Sequence, residues 1–150
     1  MEIQDLIQQL YKNRKITTDK EFRLFQGAIE KLANHKLTID LIPQLLKVFD
    51  DTCEHYEVMY GLVHLIEDFE YDYIQPLVTH TSSLYLHAKR WLETFYIRIL
   101  NDEESTLRLR NILLESPELI NDSLMKILNS IIERIPERFE PKVKALLAKD

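Results

Sequence analysis

Glycine is almost missing from this sequence. Its 150 residues include only Gly27 and Gly61, whereas average usage of about 7% would supply roughly ten. Loops that bind phosphate through backbone N–H groups need several glycines at fixed spacings, and tight β-hairpin turns favour Asn-Gly or Asp-Gly. The scarcity therefore excludes glycine-rich nucleotide-binding loops and nucleophile elbows, and it disfavours an antiparallel β fold.

Cysteine and long apolar runs are scarce too. Cys53 is the only cysteine, so no disulfide can form within the chain. The lone thiol, with no apolar segment behind a basic N-terminus, predicts a reducing, cytoplasmic location. No apolar run approaches the roughly 18 residues of a membrane span. A net charge of −6 disfavours nucleic acid as a partner, because phosphate binding depends on Lys and Arg. We therefore expect a soluble protein that binds neither membranes nor nucleic acid.

The apolar residues recur every three or four positions, which is typical of amphipathic helices. Such stripes predict helices over about 3–10, 19–33, 38–49, 54–69, 73–78, 83–100, 102–115 and 124–135, with a last helix after Pro141. Thr18 and Glu21 have the spacing of a capping box. Pro76 argues against the helix over 73–78, because proline is poorly tolerated beyond the first turn. No segment has the pattern of a strand, so the sequence predicts a single all-α domain over residues 1–150.

Paired helices recur along the sequence. Predicted first helices begin near Thr38, Tyr71 and Asp102, at separations of 33 and 31 residues, and each is followed by a longer helix. This period is typical of stacked helix pairs, in which neighbouring pairs bury each other's apolar faces. We therefore predict a HEAT-like stack of antiparallel helix pairs, an α-α superhelix with about eight or nine helices. A plain helical bundle is the alternative.

One interval of the chain lacks positive charge. The 41 residues between Lys47 and Lys89 contain no Lys or Arg, but they contain eight carboxylates and five of the seven tyrosines. Tyrosine is enriched at binding hot spots, and clustered carboxylates accelerate the association of a basic partner. We therefore predict a surface that binds a basic protein, and a solvated acidic face with tyrosines in the core is the alternative. The predicted contact residues are Glu54, Tyr56, Glu57, Tyr60, Asp68, Glu70, Tyr71, Asp72 and Tyr73.

Histidines cluster in the same interval, but their spacing fits no known metal motif. Helical di-metal centres use Glu-x-x-His from two helices, whereas His64 and Glu67 stand in the reverse order and occur once. His80 and His87 are seven residues apart and belong to no HExxH motif. We therefore expect no cofactor, no catalytic residue and no enzymatic activity. A small metal-dependent helical enzyme is one alternative, and a helical-repeat adaptor for another basic protein is a second.

Two internal features of the predicted helix over 54–69 call for a structural explanation. Glycine inside a helix costs about 1 kcal/mol relative to alanine, so we expect Gly61 to admit the close approach of another helix or of a ring such as Trp91. His64 and Glu67 share a helical face with Tyr60. We expect Glu67 to pair with Arg98, in preference to binding a partner.

The stretch Val58–Glu67, followed by Trp91 and by Arg98–Asp102, resembles the immunity protein 30 family of bacterial polymorphic toxin systems of the contact-dependent inhibition type. The resemblance covers about residues 20–115. Five positions match the family pattern and are expected to form its scaffold: Gly61, His64, Glu67, Trp91 and Arg98.

This resemblance implies a small helical protein, encoded beside a toxin gene, that binds and neutralises the cognate toxin domain. It implies no catalytic residue. Together with the acidic interval, it predicts that a tyrosine-bearing acidic surface covers a basic toxin C-terminal domain, for example a nuclease. We expect the chain itself to be a monomer or a weak dimer, because stacked helices have exposed ends.

Overall fold

The computed structural model of the protein describes residues 2–149. These residues form eight α-helices and no strand, which confirms the all-α prediction. The α-helices are α1 (Ile3–Lys12), α2 (Asp19–Ala33), α3 (Ile42–Leu46), α4 (Tyr56–Glu67), α5 (Ile74–Leu100), α6 (Glu103–Glu115), α7 (Asp122–Arg134) and α8 (Pro136–Leu147). Three 3-10 turns lie between them, at Ile39–Leu41, Glu70–Tyr73 and Pro117–Leu119. No helix in the described part of the chain is both long enough and apolar enough to cross a membrane.

The contacts group the helices into two compact units, whose boundary in the sequence falls between Tyr73 and Ile74. The first unit contains α1 to α4, and the second contains α5 to α8. Buried apolar side chains are present in both units. The single domain over residues 1–150 and the HEAT-like stack stay predictions.

In the first unit, α2 packs against both α1 and α4. The predicted capping box begins α2: the Thr18 hydroxyl accepts a hydrogen bond from the Glu21 N–H, and the Glu21 carboxylate accepts one from the Thr18 N–H, each at 3.1 Å. Both bonds satisfy N–H groups that the first turn of a helix leaves without partners. Fully buried side chains of the three helices form the core: Leu6, Leu10, Phe25, Leu32, Met59 and Leu62.

Gly61 lies where α4 approaches α2. A Cβ atom at Gly61 would lie 3.3 Å from Cδ1 and 3.7 Å from Cγ2 of Ile29. The shorter distance is a tight contact, so the missing side chain leaves room for Ile29. Of the two neighbours predicted for Gly61, the structure provides another helix.

In the second unit, α5 is one run, Ile74–Leu100, but it contains two helical segments. Ala88 has φ −136° and ψ 28°, outside the helical region, and divides the run into 74–87 and 89–100. The hydroxyls of Thr81 and Tyr96 lie 2.7 Å apart, whereas a straight helix would separate these two residues by about 22 Å. The chain therefore turns back sharply at Ala88.

The two helices predicted over 73–78 and 83–100 were right in number and wrong in position. The first segment is longer than predicted because Pro76 falls in its first turn, where proline is tolerated. The last helix was also misplaced. It begins at Pro136, and Pro141 lies inside it, although an internal proline removes one hydrogen bond of the helix.

Glu93, for which the sequence contains no local signal, is a buried carboxylate of the second unit. It lies on α5 and is only 3% exposed. Ser130 and Arg134 of α7 donate hydrogen bonds to its Oε1 atom at 2.7 and 3.3 Å. These bonds satisfy a charge that would otherwise be costly to bury.

Candidate functional site

Most of the predicted contact residues lie on the surface of the first unit, in and around α4. The carboxylates are exposed: Glu54, Glu57, Asp68, Glu70 and Asp72. Tyr56, Tyr60 and Tyr71 are half-buried, so each ring has an accessible part. Tyr73 is a correction to the prediction: its side chain is 4% exposed, so it belongs to the core and cannot contact a partner.

The polar side of α4 is a continuous strip of side chains. Six apolar residues of the helix are buried, which leaves Glu57, Tyr60, His64 and Glu67 on the other side. The Tyr60 and His64 rings are 6.2 Å apart, and His64 Nδ1 lies 3.6 Å from Glu67 Oε1. These distances confirm that Tyr60, His64 and Glu67 share a face. The pairing of Glu67 with Arg98 stays a prediction.

The segment that leads into α4 is fixed by hydrogen bonds. The Tyr56 hydroxyl donates to the backbone carbonyl of Asp51 at 3.0 Å. The Glu54 N–H donates to the carbonyl of Lys15 at 3.0 Å, and the His55 ring packs edge-on against Phe22 at 5.1 Å. The Tyr56 hydroxyl is therefore already used in a hydrogen bond that stabilises this segment.

A cation from α1's C-terminal turn lies beside this part of the acidic interval. Arg14 Nε is 3.5 Å from Asp50 Oδ2. Burial raises the pKa of Asp50, but hydrogen bonds from Thr52 and the charges of Arg14 and Lys15 outweigh it, so the pKa lies below its ordinary value. The interval between Lys47 and Lys89 thus contains no Lys or Arg in the sequence, but the fold places Arg14 beside it. No local pattern could reveal this, because Arg14 and Asp50 are far apart in the chain.

The residues after α4 form an acidic turn, 68–72, in which Asp68, Glu70 and Asp72 are all exposed. In the described part of this unit, none of their carboxylates makes a hydrogen bond or an ion pair. Glu70 has φ 57°, a left-handed conformation that is unfavourable for a residue with a Cβ. The acidic turn is therefore the strongest unneutralised negative charge among the predicted contact residues.

A hollow of about 190 Å³ opens beside the acidic turn. Its lining comes from the end of α2, the segment after it and the end of α4: Leu32, Ala33, His35, Leu37, Leu65, Asp68 and Phe69. Of these, only Asp68 was predicted as a contact residue. The lining comes from two segments, 32–37 and 65–69, which are far apart in the sequence and meet only in the fold. No local sequence pattern could therefore reveal the hollow.

The remaining predicted residues are distributed between core and surface. Trp91 is 2% exposed in the second unit, whereas Arg98 is exposed. Their roles as family scaffold stay predictions. Over residues 2–149, no group of three or more His, Cys, Asp and Glu side chains is placed to hold a metal ion.

Comparison with known families gives a match over most of the chain. The sequence model of the immunity protein 30 family matches residues 12–109, about two thirds of the chain. The matched region includes α2 to α5, the polar strip of α4 and the acidic turn. Comparisons with curated proteins and with solved structures give no match.

Proposed function

Because this chain belongs to the immunity protein 30 family, we propose that it neutralises a cognate bacterial toxin by binding the toxin's C-terminal domain. The toxin domain is a basic protein, for example a nuclease with a cationic cleft. The contact surface consists of the polar strip of α4 and the acidic turn. Inhibition by covering a cleft needs no chemistry from the inhibitor, which agrees with the lack of any catalytic motif in the sequence.

The observation that carries this proposal is the acidic turn. Three exposed carboxylates lie within five residues, and no cation of the described part of this unit pairs with them. Unneutralised charge of one sign steers an oppositely charged partner and can raise association rates by one or more orders of magnitude. Arg14 already pairs with Asp50, so we assign the steering role to residues 68–72 and not to the segment before α4.

Tyr60 and Tyr71 supply the aromatic contacts of the proposed surface. Both rings are half-buried, so each is partly packed into the protein and still presents area to a partner. A ring that is fixed before binding loses little conformational entropy on association. Tyr60 lies between Glu57 and His64 on α4, and Tyr71 lies inside the acidic turn, which places an aromatic group within each half of the surface.

The test is a charge reversal with a matched control. In the variant Asp68→Lys/Glu70→Lys/Asp72→Lys, we expect association with the toxin domain encoded by the adjacent gene to slow at least tenfold at low salt, because steering is lost. The control Glu115→Lys/Glu118→Lys/Glu133→Lys makes the same change in net charge at exposed residues of the second unit. It should slow association much less.

Stopped-flow or surface-based kinetics at low and at high salt would measure both variants. A wild-type protein that binds a basic non-toxin protein equally well would indicate an adaptor and not an immunity protein. An association rate that stays unchanged in the first variant at low salt would rule out the acidic turn as the steering surface.

A further inference from the structure

The hollow beside the acidic turn has the composition of a socket for one side chain. Leu32 and Leu65 are buried and form its floor, and Leu37 and Phe69 are half-buried. The exposed Asp68 and His35 are the polar groups of the lining. Its volume of about 190 Å³ is below the roughly 300–1,000 Å³ of small-molecule pockets, so it suits one long side chain better than a separate ligand.

We propose that this hollow receives a lysine or arginine side chain of the toxin domain, which then acts as the anchor of the complex. This inference rests on the proposed function. Lysine and arginine have apolar stems with a cation at the tip, and such side chains pack the stem on apolar surface while the charge stays at the edge. The stem would lie on the apolar lining, and the cation would reach the Asp68 carboxylate.

Charge complementarity favours this occupant over an apolar one. The Asp68 carboxylate has no hydrogen bond or ion pair within the described part of the unit, and Glu70 and Asp72 follow it in the acidic turn. An apolar anchor would remove water from Asp68 without replacing the lost hydrogen bonds, which is costly for a charged group. A cationic anchor supplies them.

His35 fixes the other side of the lining. Its Nδ1 atom lies 2.8 Å from the backbone carbonyl of Lys31, near the end of α2. This hydrogen bond uses one ring nitrogen. The lining therefore has one carboxylate and one hydrogen-bonded imidazole, and only the carboxylate can neutralise a bound cation.

Two variants test the socket, and the second of them, Ala33→Trp, leaves the carboxylates of the acidic turn unchanged. Asp68→Asn keeps the shape and removes the charge, and we expect a roughly tenfold weaker affinity for the toxin domain. Ala33→Trp fills the hollow from its lining, and we expect a loss of about 30-fold or more, mostly through faster dissociation. Ala145→Trp is the matched control, because Ala145 lines a different hollow, in the second unit. It should leave the affinity unchanged.

A double-mutant cycle identifies the anchor itself. Each surface Lys and Arg of the toxin domain is replaced by Ala and tested against wild type and Asp68→Asn. One of these residues should show strong coupling to Asp68, so that its loss costs little once Asp68 is Asn. This cycle does not depend on Ala33→Trp, so it decides the matter even if circular dichroism shows that variant to be unfolded.

The outcomes separate the two proposals. If folded Ala33→Trp binds as tightly as wild type, or if no cation of the toxin domain couples to Asp68, the socket is wrong while the proposed function stands. If the wild-type protein does not bind the toxin domain at all, the proposed function fails and the socket fails with it.

Discussion

The side-chain oxygens of Thr81 and Tyr96 lie 2.7 Å apart, and the hydrogen bond between them joins the two segments of α5 across the turn at Ala88. Both side chains are buried, at 1% and 0% exposure. The Thr81 hydroxyl also donates to the Leu77 carbonyl at 2.8 Å. Since that bond uses the Thr81 proton, the Tyr96 hydroxyl is the donor between the two side chains.

Removing this donor should destabilise the second unit. Tyr96→Phe leaves the buried Thr81 oxygen without its second partner, and we expect the free energy of unfolding to fall by about 1–2 kcal/mol. Urea denaturation followed by circular dichroism measures the change. Tyr11→Phe is the control, because Tyr11 is 48% exposed, and it should change stability by less than about 0.5 kcal/mol. Equal stabilities for the two variants would contradict the role of the Thr81–Tyr96 bond.

The two ion pairs that α7 makes, Arg134 with Glu93 and Lys126 with Asp122, should differ in how much they stabilise the protein. Arg134→Ala removes a partner from Glu93, which is 3% exposed, so we expect a cost of about 2 kcal/mol. Lys126→Ala breaks the 2.9 Å pair with Asp122, in which both side chains are exposed, and should lower the free energy of unfolding much less than Arg134→Ala does, because water screens exposed ion pairs. Denaturant midpoints of the two variants give the comparison. A larger loss for Lys126→Ala would mean that the Glu93 cluster is not a stabilising feature.

The two glycines provide a test of helix packing. A Cβ atom at Gly27 meets nothing within 4 Å, so Gly27→Ala should stabilise the protein by about 1 kcal/mol through helix propensity alone. At Gly61 the same gain is offset by the 3.3 Å approach of Ile29 Cδ1. Gly61→Ala should therefore stabilise less than Gly27→Ala. In an Ile29→Val background, which removes Cδ1, the gain from Gly61→Ala should increase. Thermal unfolding of wild type, Gly61→Ala, Ile29→Val and the double variant would measure this difference.

Acid should destabilise the protein through carboxylates whose pKa is lowered by the fold. A hydrogen bond from Ser105 lowers the pKa of Asp102. Burial raises the pKa of Asp50, but the hydrogen bonds from Thr52 and the charges of Arg14 and Lys15 lower it by more, so the net effect is a lowered pKa. A lowered pKa in the folded state means that the ionised form stabilises the fold at neutral pH, and that this contribution is lost as the pH falls below about 4.

The double variant Asp50→Asn/Asp102→Asn should reduce this pH dependence. Asn at position 102 can still cap α6, but it does not titrate. We expect the unfolding midpoint of the variant to fall less steeply between about pH 5 and pH 2.5 than that of wild type. Glu118→Gln changes an exposed carboxylate of the 3-10 turn Pro117–Leu119 and serves as the control. A slope equal to that of wild type in the double variant would refute the assignment.

Helix periodicity and end signals allowed the all-α class and most of the helices to be predicted. The apolar stripe of α4 and the capping box of α2 depend on residues at most a few positions apart, so the sequence contains all the information they need. The turn at Ala88 has no such signal, because alanine is a favourable helix residue. It is stabilised by contacts such as Thr81 to Tyr96, which only the folded chain creates.

The candidate site likewise has features that the sequence predicts and features that only the folded chain creates. The cluster of acids around α4 followed from composition, and the shared face of Tyr60, His64 and Glu67 followed from helical phase. The burial of Tyr73 could not be predicted in this way, because a tyrosine next to acids has the same sequence pattern whether its ring points outward or into the core. Two further features join segments that are distant in the sequence: the Arg14–Asp50 pair and the hollow lined by His35 and Asp68. Both form only when the chain folds, so neither has a local sequence signal.

The reactivity of Cys53 can report on local opening of the folded protein. Its side chain is 5% exposed, in the segment between α3 and α4, and it is the only thiol in the chain. A thiol reagent can therefore react only when that segment opens, and the reaction rate measures the opening of the first unit without any engineered label. Because the second unit contains no cysteine, its own fluctuations leave no trace in such an experiment. A bound toxin domain that covers the acidic turn should slow the labelling only as far as it restrains this opening.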